Sequence, residues 1–519
     1  MKGLGRTASI AIVVVVVIII VAAALYYATM KPSPPPSTST VVSTTTSLVT
    51  TTATSLVTTT STATTTATTT SVVTVTTTST PPTTPPFSLS SLLDPNFVCN
   101  QLLGGNTVTI TVWDTYGPPE DQAFNATLAS FTQAYPCIKV QVTRGVGIAT
   151  ANFVSAAKAG QAPNVYRDSS DDAGKLFAGG LLLNISKYIN PADIEAAYIP
   201  VAVKNFMLGS SIYGLPDNVN YIVMYYNKKF LNDALTQKMF GVGVDQLNTN
   251  QLLQLCQYIN STYKVWCVAY GAGQEWGYRF AAWFAGFGGR IFDERGMPQL
   301  NSSAMVKAME FWYNMTYVWN YNAPGVTPSL EQQLFTQNMT AIIFDGTWDL
   351  KIYQKALGPN LGAAPLPTIS MTGMRAAPLI GSTGWVIASP QASGASQQQI
   401  YASLAFIAYV TSKDAEVNLW NFAGDLPAQK QAYDTVMTLL SSGGLQPAYM
   451  NDVYKGILEQ AQYGQKFPNI PQMSFYWPCF HQYFTLYFAN KTISAAQAAQ
   501  EMESCMISNM QQAGLMPSS

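Results

Sequence analysis

The sequence predicts an α/β fold with two lobes, and two observations carry this prediction. From residue 107 to residue 185, strand-like apolar alternation is followed repeatedly by helical spacing, which is typical of a parallel sheet with helices on both faces. A comparable alternation returns at residue 212 and continues to the strand-like STGWVIASP at residues 382–390. The lengths of these stretches within residues 91–519 suit two α/β lobes rather than one.

The first 30 residues predict a membrane anchor. Lys2 and Arg6 precede an unbroken apolar run from Ala8 to Ala28, and about 20 apolar residues span a bilayer. The apolar region of a secretory signal has only about 7–15 residues, and the positive charges are expected to keep the N-terminus inside the cell. The segment is interpreted as a retained anchor. A cleaved signal, suggested by the small residues at 22–24, is the alternative.

Residues 31–90 predict an extended stalk. Ser and Thr account for 37 of these 60 residues, and proline clusters mark both ends. Such a composition offers too little large apolar surface to offset the loss of chain entropy on folding. The segment is typical of an O-glycosylated stalk, with an unmodified linker as the alternative.

The charge balance of the folded part excludes one class of partner. All 27 acidic residues and 23 of the 26 basic ones lie in residues 91–519, which gives a net charge of −4. A nucleic-acid-binding surface would instead need a basic stripe. Charged residues make up 10% of the chain, against about 25% in ordinary proteins. A surface with few carboxylates suits acidic surroundings.

Six cysteines and seven glycosylation sequons indicate an oxidising, extracellular location. The simplest of the 15 possible disulfide pairings joins sequence neighbours. These candidate pairs are Cys99 with Cys137, Cys256 with Cys267, and Cys479 with Cys505. Without a CxxC motif and with a single histidine, metal binding is the weaker use of these cysteines. The sequons start at Asn125, Asn184, Asn260, Asn301, Asn314, Asn338 and Asn490.

The predicted elements follow one another in a regular order. Strands are expected at TVTITVWDTY, IKVQVTRG and NVYRD, with helices at EDQAFNATLASFTQAYP and ANFVSAAKAGQAP. Later elements are the strand-like IYGLPDNVNYIVMYYNKKFL, helices at QLLQLCQYIN and MVKAMEFWYNMTYVW, a strand turning into a helix at TAIIFDGTWDLKIY, and mainly helices near the C-terminus. Ligands of open α/β sheets lie beyond the carboxyl ends of the strands. Asp114, Tyr116 and the loop 168–172 fall at such ends.

An ordered series of motifs along residues 105–505 resembles the maltose-binding type of extracellular solute-binding protein of ABC sugar importers. YGLPDNVNYIVMYYNKKFL carries the Tyr-Gly-x-Pro and Tyr-Asn-Lys signature of that family. AIIFDGTWDL carries its Gly-x-Trp turn, and SLAFIAYVTSKDAEVNLWNFAGDLPAQKQAY is similar to its late helix pair. The most specific match is PNIPQMSFYW, at residues 468–477.

This resemblance implies a two-lobed, periplasmic-binding-protein-like fold of type II, in which hinged lobes close over a ligand in a central cleft. The expected domains are an anchor or signal at 1–30, a stalk at 31–90, a first lobe at 91–220 with 385–435, and a second lobe at 221–384 with 436–519. The chain is expected to leave the first lobe near residues 217–221, to return near 382–387 and to cross again near 433–445.

The stretch NIPQMSFYWPCFHQYF concentrates six aromatic residues between Phe475 and Phe484, around the only histidine of the chain. Sugars present apolar faces that stack on aromatic rings, and hydroxyls that need hydrogen-bond partners. In a helix opening at Pro478, Trp477 and His481 are four residues apart and share a face. We expect these two in the cleft, with core burial as the alternative for His481. The neighbouring face, expected in the core, carries Phe480, Phe484, Tyr487 and Phe488.

The resemblance implies further sugar contacts. Trp477 and Trp348 match stacking tryptophans of the family, with structural packing as the alternative for Trp348. Asp171 matches a carboxylate that binds hydroxyls, and capping of the following helix is its alternative role. Asn220 stands where the family has a glutamate. The remaining expected contacts, with core burial as the alternative for the last two, are Tyr116, Trp276 and Tyr278.

The sequence also departs from the maltose-binding type. Gly117-Pro118 stands where that type has an Asp-Lys pair, Asp168 where it has a tryptophan, and Asp172 where it has an arginine. The resemblance therefore implies a sugar or oligosaccharide and leaves the particular sugar open. A calcium site formed by Asp168, Asp171 and Asp172 is a weaker interpretation.

A membrane-anchored extracellular glycoside hydrolase is the alternative function. Hydrolysis needs two carboxyl groups about 5–10 Å apart, and no motif pairs the candidates. These candidates are Asp171, Asp217, Glu275 and Asp345. The sequence contains no GxSxG motif for a Ser-His-Asp triad. A surface-layer or adhesion component would fit the stalk but would leave the cleft motifs unexplained.

The predicted function is therefore that of a receptor and not of an enzyme. A monomeric protein on the extracellular face of the membrane would capture a maltodextrin-like sugar, close, and deliver it to ABC permease subunits. The chain contains no GKS or GKT phosphate loop, so separate subunits would hydrolyse ATP. No cofactor and no nucleic-acid partner are expected.

Overall fold

Alternating helices and strands make up residues 86–145, 150–271 and 276–517, which the computed structural model describes. The helices α1–α19 are Leu89–Leu92, Glu120–Ala134, Thr150–Lys158, Ser170–Ala178, Pro191–Ala197, Pro200–Lys204, Asp233–Phe240, Thr249–Tyr263, Trp276–Gly286, Ser303–Tyr313, Pro328–Thr336, Leu350–Leu357, Pro390–Ser393, Gln397–Val410, Lys413–Ala423, Lys430–Ser441, Met450–Ala461, Met473–Phe488 and Ala495–Gln512.

The strands β1–β13 are Val108–Asp114, Ile138–Arg144, Val165–Ser169, Met207–Leu208, Ser211–Ile212, Gly214–Pro216, Ile222–Asn227, Trp266–Ala269, Thr340–Gly346, Leu361–Ala364, Leu379–Ile380, Thr383–Ile387 and Gln465–Lys466. Short 3-10 turns span Ile185–Lys187, Val244–Gln246, Thr347–Asp349 and Gly358–Asn360, and π-helical turns span Phe97–Leu102 and Asn314–Val318. The predicted anchor and stalk lie outside the described residues, except for the end of the stalk. Within the described ranges, no helix combines the length and the apolar character needed to cross a membrane.

The first sheet has five strands in the order β2-β1-β3-β12-β6. Strand β1 pairs in parallel with both β2 and β3, as the strand–helix alternation predicts. Strand β12 pairs antiparallel with β3 and with β6. The sheet is therefore mixed rather than purely parallel, because β12 runs opposite to both of its neighbours.

Helices cover both faces of this sheet, which confirms the prediction. Val108, Ile110 and Val112 alternate along β1 and are buried in the core that also contains residues of α2 and α14. A separate apolar cluster on the other side includes Phe153 of α3 and Phe177 of α4. The apolar residues at every second position of β1 therefore form the face of the sheet that packs against α2 and α14.

The second sheet has four strands in the order β10-β7-β9-β8. All residues of β7 and β9 are buried, as expected for central strands covered on both faces. Ile222 and Met224 of β7 belong to a core shared with α8, α9 and α18. Val223 and Tyr225 on the opposite face belong to the core that continues toward the first sheet.

Three stretches of chain lie side by side between the sheets. Asn220 and Gly381 exchange two backbone hydrogen bonds of 3.0 and 2.9 Å, and the Val219 N–H donates to the Leu426 carbonyl at 2.8 Å. The strand-like run that starts at Ile212 is consequently split into β6 and β7, because residues 217–221 pass from one sheet to the other. The fold is two-lobed, with one lobe around each sheet.

The predicted disulfide pairing is confirmed. Cys99–Cys137 joins the first π-helical turn to the start of β2, Cys256–Cys267 joins α8 to β8, and Cys479–Cys505 joins α18 to α19. The last bridge ties the aromatic helix to the C-terminal helix. None of the seven sequon asparagines is buried, and Asn125, Asn301 and Asn490 are exposed.

Helix α18 begins earlier than expected. The sequence predicts a start at Pro478, whereas the helix begins at Met473 and contains Pro478 in its interior. Proline lacks the N–H that would bond to the carbonyl of Ser474 four residues earlier. Trp477 and His481 nevertheless keep their spacing of four residues within one helix.

Candidate functional site

A cleft between the two lobes contains a cavity of about 850 Å³, within the range of about 300–1,000 Å³ that is usual for small-molecule sites. The lining residues come from both lobes and from the crossing segments. They are Ala151, Ser169, Asp171, Asp172, Lys175, Asn220, Tyr278, Arg279, Trp348, Thr383, Ser474, Trp477, Pro478 and His481. Six of the eight residues predicted to contact a ligand therefore lie around one cavity: Asp171, Asn220, Tyr278, Trp348, Trp477 and His481.

Trp348 and Tyr278 form one aromatic wall of this cavity. Trp348 lies in the 3-10 turn that follows β9, and its ring centroid is 6.2 Å from that of Tyr278. The half-buried indole needs the glycine two residues earlier, because a Cβ at Gly346 would lie 2.2 Å from the ring. The Gly-x-Trp sequence thus places an aromatic face at the end of a buried strand.

Trp477 of α18 lies opposite the first lobe and touches it. Its Nε1–H donates to the backbone carbonyl of Asp171 at 3.4 Å. Phe467 and Tyr476 support the indole, with ring centroids at 6.3 and 5.0 Å. A Cβ at Gly174 of α4 would lie 2.8 Å from the backbone of Ile470. The two lobes are therefore in contact along this side of the cleft.

His481 lies one turn after Trp477 and is exposed at the same cavity. The alternative of a buried core histidine is therefore wrong. The neighbouring aromatic face is buried as predicted, with exposures of 1% for Phe480, 2% for Phe484, 8% for Tyr487 and 4% for Phe488. Helical spacing alone separated these two faces of α18.

Asn220 and Tyr278 are held in place by the crossing segments. The Tyr278 hydroxyl lies 3.2 Å from the Asn220 side-chain oxygen and 3.0 Å from the Leu379 carbonyl oxygen, and it can donate to either. The Asn220 amide donates to Asn218 Oδ1 at 3.2 Å and to Thr383 Oγ1 at 3.4 Å. An amide, two hydroxyls and a tyrosine ring are thus preorganised at the base of the cleft.

Asp171 lies in the first turn of α4, together with Asp172. The cap of this helix is Ser169, whose hydroxyl accepts a hydrogen bond from the Asp171 N–H at 3.2 Å. The capping role considered for Asp171 therefore belongs to Ser169. The Asp171 side chain lines the cavity, where a carboxylate can accept hydrogen bonds from ligand hydroxyls.

A second chamber of about 300 Å³ opens beside the main cavity and shares four residues with it. The shared residues are Ser169, Asn220, Trp348 and Thr383. The remaining lining residues are Thr115, Glu120, Thr150, Tyr166, Arg167, Asp168 and Asn218. Arg167 bonds to Asp217 at 2.7 and 3.2 Å and to Glu120 at 3.4 Å. Its charge is thereby matched within the first lobe.

The sequence interpretation missed Arg279, which lines the main cavity. Arg279 is 2% exposed and forms ion pairs with Glu331 and Asp345, both at 2.6 Å. Asn218 and Thr383 were missed as well, although each lies on a segment predicted to cross between the lobes. A signal for Arg279 was present, since it is the single charge in the apolar helix α9.

The structure corrects two of the expected ligand contacts. Tyr116 is 4% exposed, its hydroxyl donates to Asp217 at 2.8 Å, and the Arg167 guanidinium lies 3.6 Å from its ring centroid. Trp276 is 2% exposed and packs among Tyr270, Phe484 and Phe488. Both side chains are directed into the core of their lobe and do not line the cavity.

Two of the carboxylates considered for the hydrolase alternative are already engaged by arginines inside their lobes. Asp217 and Asp345 are buried in ion pairs with Arg167 and Arg279, and Glu275 lies outside the described residues. In the described parts of the chain, no cluster of three or more His, Cys, Asp or Glu residues is arranged to hold a metal ion. The structure therefore does not support the calcium interpretation of Asp168, Asp171 and Asp172.

Burial raises the pKa of several carboxyl groups, among them those of Asp168, Asp349, Glu416 and Asp425. A carboxyl whose pKa is raised by folding binds its proton more tightly in the folded state. Its contribution to stability is fully present below the unfolded pKa of about 4 and is lost as the pH rises through the folded pKa.

We therefore expect the free energy of unfolding to stay level or increase as the pH falls from about 6 to about 2. Urea unfolding across this range measures it. Asp425→Asn, which mimics the protonated acid, should flatten the profile, whereas Glu195→Gln on the surface should leave it unchanged. Unfolding in acid near pH 4 would contradict this expectation.

The fold consists of two lobes, each around its own sheet, which crossing segments join. The lobes enclose a cleft lined by aromatic rings and an amide. This arrangement defines a solute-binding protein. Comparison with known sequences makes the assignment specific. Residues 126–439 match the family of bacterial extracellular solute-binding proteins, and the chain belongs to this family. It is therefore a binding protein and not an enzyme.

Individual relatives are similar at low identity. The maltotriose-binding protein of Pyrococcus abyssi is 25% identical over 265 residues, which cover 51% of this chain and 54% of that relative. The maltooligosaccharide ABC transporter solute-binding lipoprotein of Streptococcus pneumoniae is 24% identical over 333 residues, covering 62% of this chain and 70% of that protein. The chain thus spans about half the length of the first relative.

A solved structure shows the same fold. The maltose/maltodextrin-binding domain MalE from Bdellovibrio bacteriovorus, bound to maltotriose, superposes with a TM-score of 0.66 and 21% identity. The superposition covers 78% of this chain and all of that domain.

Proposed function

We propose that this protein captures a maltodextrin-like oligosaccharide between its lobes and releases it to an ABC permease. The observation that carries the proposal is the single cavity lined by Trp348, Tyr278 and Trp477 on one side and by Asp171 and Asn220 on the other. Aromatic rings bind the apolar faces of pyranose rings, and the amide and carboxylate satisfy the hydroxyls. This combination suits a neutral, hydroxyl-rich ligand.

The lobe boundaries of the proposal are residues 91–220 with 385–435, and 221–384 with 436–519. Support comes from the crossing segments, since the pairing of Asn220 with Gly381 and of Val219 with Leu426 lies between the two sheets. Such short paired segments are where a hinge absorbs backbone rotation. Ligand-dependent closure would appear as a decrease in the radius of gyration measured by X-ray scattering.

The protein is proposed to act as a monomer at the extracellular face of the membrane, held by the apolar run in residues 8–28 and raised by the stalk in residues 31–90. The family is extracellular, and one relative is a lipoprotein of an ABC transporter. The three disulfides agree with an oxidising compartment.

A binding screen with the purified full chain tests the function. Maltose, maltotriose, maltotetraose and xylotriose would be compared by thermal shift and calorimetry. We expect a maltooligosaccharide to stabilise the protein, by about 2.7 kcal/mol at a ligand concentration of 100 Kd. The sugar should be recovered unchanged after prolonged incubation. Lack of stabilisation by every saccharide would overturn the proposal.

A further inference from the structure

Asp168 is a buried acid that the proposed cleft contacts do not use. It lies on β3, lines the smaller chamber beside Trp348, and is 5% exposed. Its Oδ1 atom accepts hydrogen bonds from the Ser169 N–H at 2.9 Å and from the Thr150 hydroxyl at 3.4 Å. Its Oδ2 atom is buried and has no hydrogen-bond partner among the described residues.

Among the residues that the structure describes, no lysine or arginine forms an ion pair with Asp168. Burial, and then the carboxylates of Asp172 and Asp171 on α4, raise the pKa of Asp168 well above its usual range, whereas hydrogen bonding to the Ser169 N–H and to the nearby Tyr166 hydroxyl acts in the opposite direction. Arg167, the cation that lines the same chamber, is engaged by Asp217 and Glu120. The other ionisable groups around the chamber and the adjoining cavity are Tyr166, Lys175, Arg279 and His481.

The hydrogen bonds decide where a proton on Asp168 resides. An oxygen that already accepts two hydrogen bonds serves as the carbonyl of the acid, so the proton is carried by the other oxygen. That oxygen is Oδ2, for which the described parts of the chain supply no hydrogen-bond partner. A buried polar atom without a hydrogen-bond partner destabilises the folded protein, because it has lost its hydrogen bond to water. A ligand that forms a hydrogen bond with this atom removes that penalty and therefore binds more tightly.

We propose that the smaller chamber is a ligand subsite in which Asp168 acts as a neutral acid and donates a hydrogen bond from Oδ2 to an oxygen of the bound saccharide. The proposal rests on the oligosaccharide-binding function proposed above and makes Asp168 a specificity-determining residue. The chamber contains hydroxyl and amide groups from Thr115, Thr150 and Asn218, which can complete the hydrogen bonds of a sugar ring. The ligand would then extend from the aromatic wall into this chamber.

If Asp168 must be protonated to donate this hydrogen bond, the affinity for the saccharide should decrease as the pH rises. Affinity should be constant while Asp168 is protonated and should then fall with increasing pH, by up to about tenfold per pH unit above its pKa. Asp168→Asn keeps a donor at this position and cannot ionise, so its affinity should be close to that of the wild type in acid and independent of pH. Asp168→Ala should bind about tenfold or more weakly in acid.

Calorimetry of maltotriose, or of the saccharide that the screen identifies, between about pH 3 and pH 8 tests the proposal. Glu195→Gln, an exposed acid of the first lobe, is the matched control and should follow the wild-type profile. The inference is overturned if wild type binds equally well throughout, or if Asp168→Asn keeps the wild-type pH dependence. Binding that is absent at every pH would overturn the proposed function and this inference together.

Discussion

Trp477→Ala is expected to lower the affinity for the bound oligosaccharide at least tenfold while leaving the fold intact. The indole lines the cavity and is only half-buried. It packs on the rings of Phe467 and Tyr476, which belong to the core of the second lobe. Removing it takes away the apolar face on which a sugar ring would stack, and a tenfold loss corresponds to about 1.4 kcal/mol. Isothermal titration of the variant measures the effect, and circular dichroism checks the fold.

Trp319→Ala provides the matched control for this substitution. Trp319 is 37% exposed, lies just after the second π-helical turn, and does not line the cleft cavity. We expect its removal to leave the affinity unchanged. Equal affinities of the Trp477 variant and the wild type would exclude Trp477 from the site, and equal losses in both variants would indicate a non-specific effect.

Arg279→Met is expected to destabilise the protein by about 3–5 kcal/mol at pH 7. The guanidinium is buried and pairs with Glu331 and Asp345. Burial, and then the neighbouring Asp345 carboxylate, raise the pKa of Asp349 beside them. Without the arginine, buried carboxylates face one another and bind protons. The folded state of the variant then holds more protons than the unfolded state, so the loss should be smaller at pH 4 than at pH 7.

Urea unfolding at both pH values measures this loss, with Arg295→Met as the control. The Arg295 side chain is 73% exposed and pairs with Asp293 at 3.4 Å, so its replacement should change stability by no more than about 0.5 kcal/mol. A loss for Arg279→Met that is as small as for Arg295→Met would show that the buried pairs do not stabilise the second lobe. A loss that is larger at pH 4 would contradict the proton linkage.

Some features of the cleft could be read from residue spacing. On α18, a separation of four residues put Trp477 and His481 on one face, and the aromatic residues on the next face are buried. Trp348 was expected from the resemblance to the maltose-binding type, and the structure supplies the steric reason for its Gly-x-Trp turn, since a Cβ at Gly346 would collide with the indole. The disulfide pairs were also predictable, because neighbouring cysteines lie on elements that pack together.

Other features depend on contacts between distant parts of the chain. Tyr116 and Asp168 both lie at the carboxyl end of a strand, and their sequence positions do not separate them. The Tyr116 side chain points into the core, because its hydroxyl donates a hydrogen bond to Asp217, which lies 101 residues away in the sequence. Asp168 lines the smaller chamber instead.

The sequence by itself determined the strands and helices, the two α/β lobes and the aromatic face of α18, because these follow from local periodicity and backbone geometry. Only the tertiary structure decided that Trp276 is buried and that Arg279 reaches the cleft. Helix α9 is buried along its whole length, so periodicity does not distinguish the side that faces the core from the side that faces a ligand.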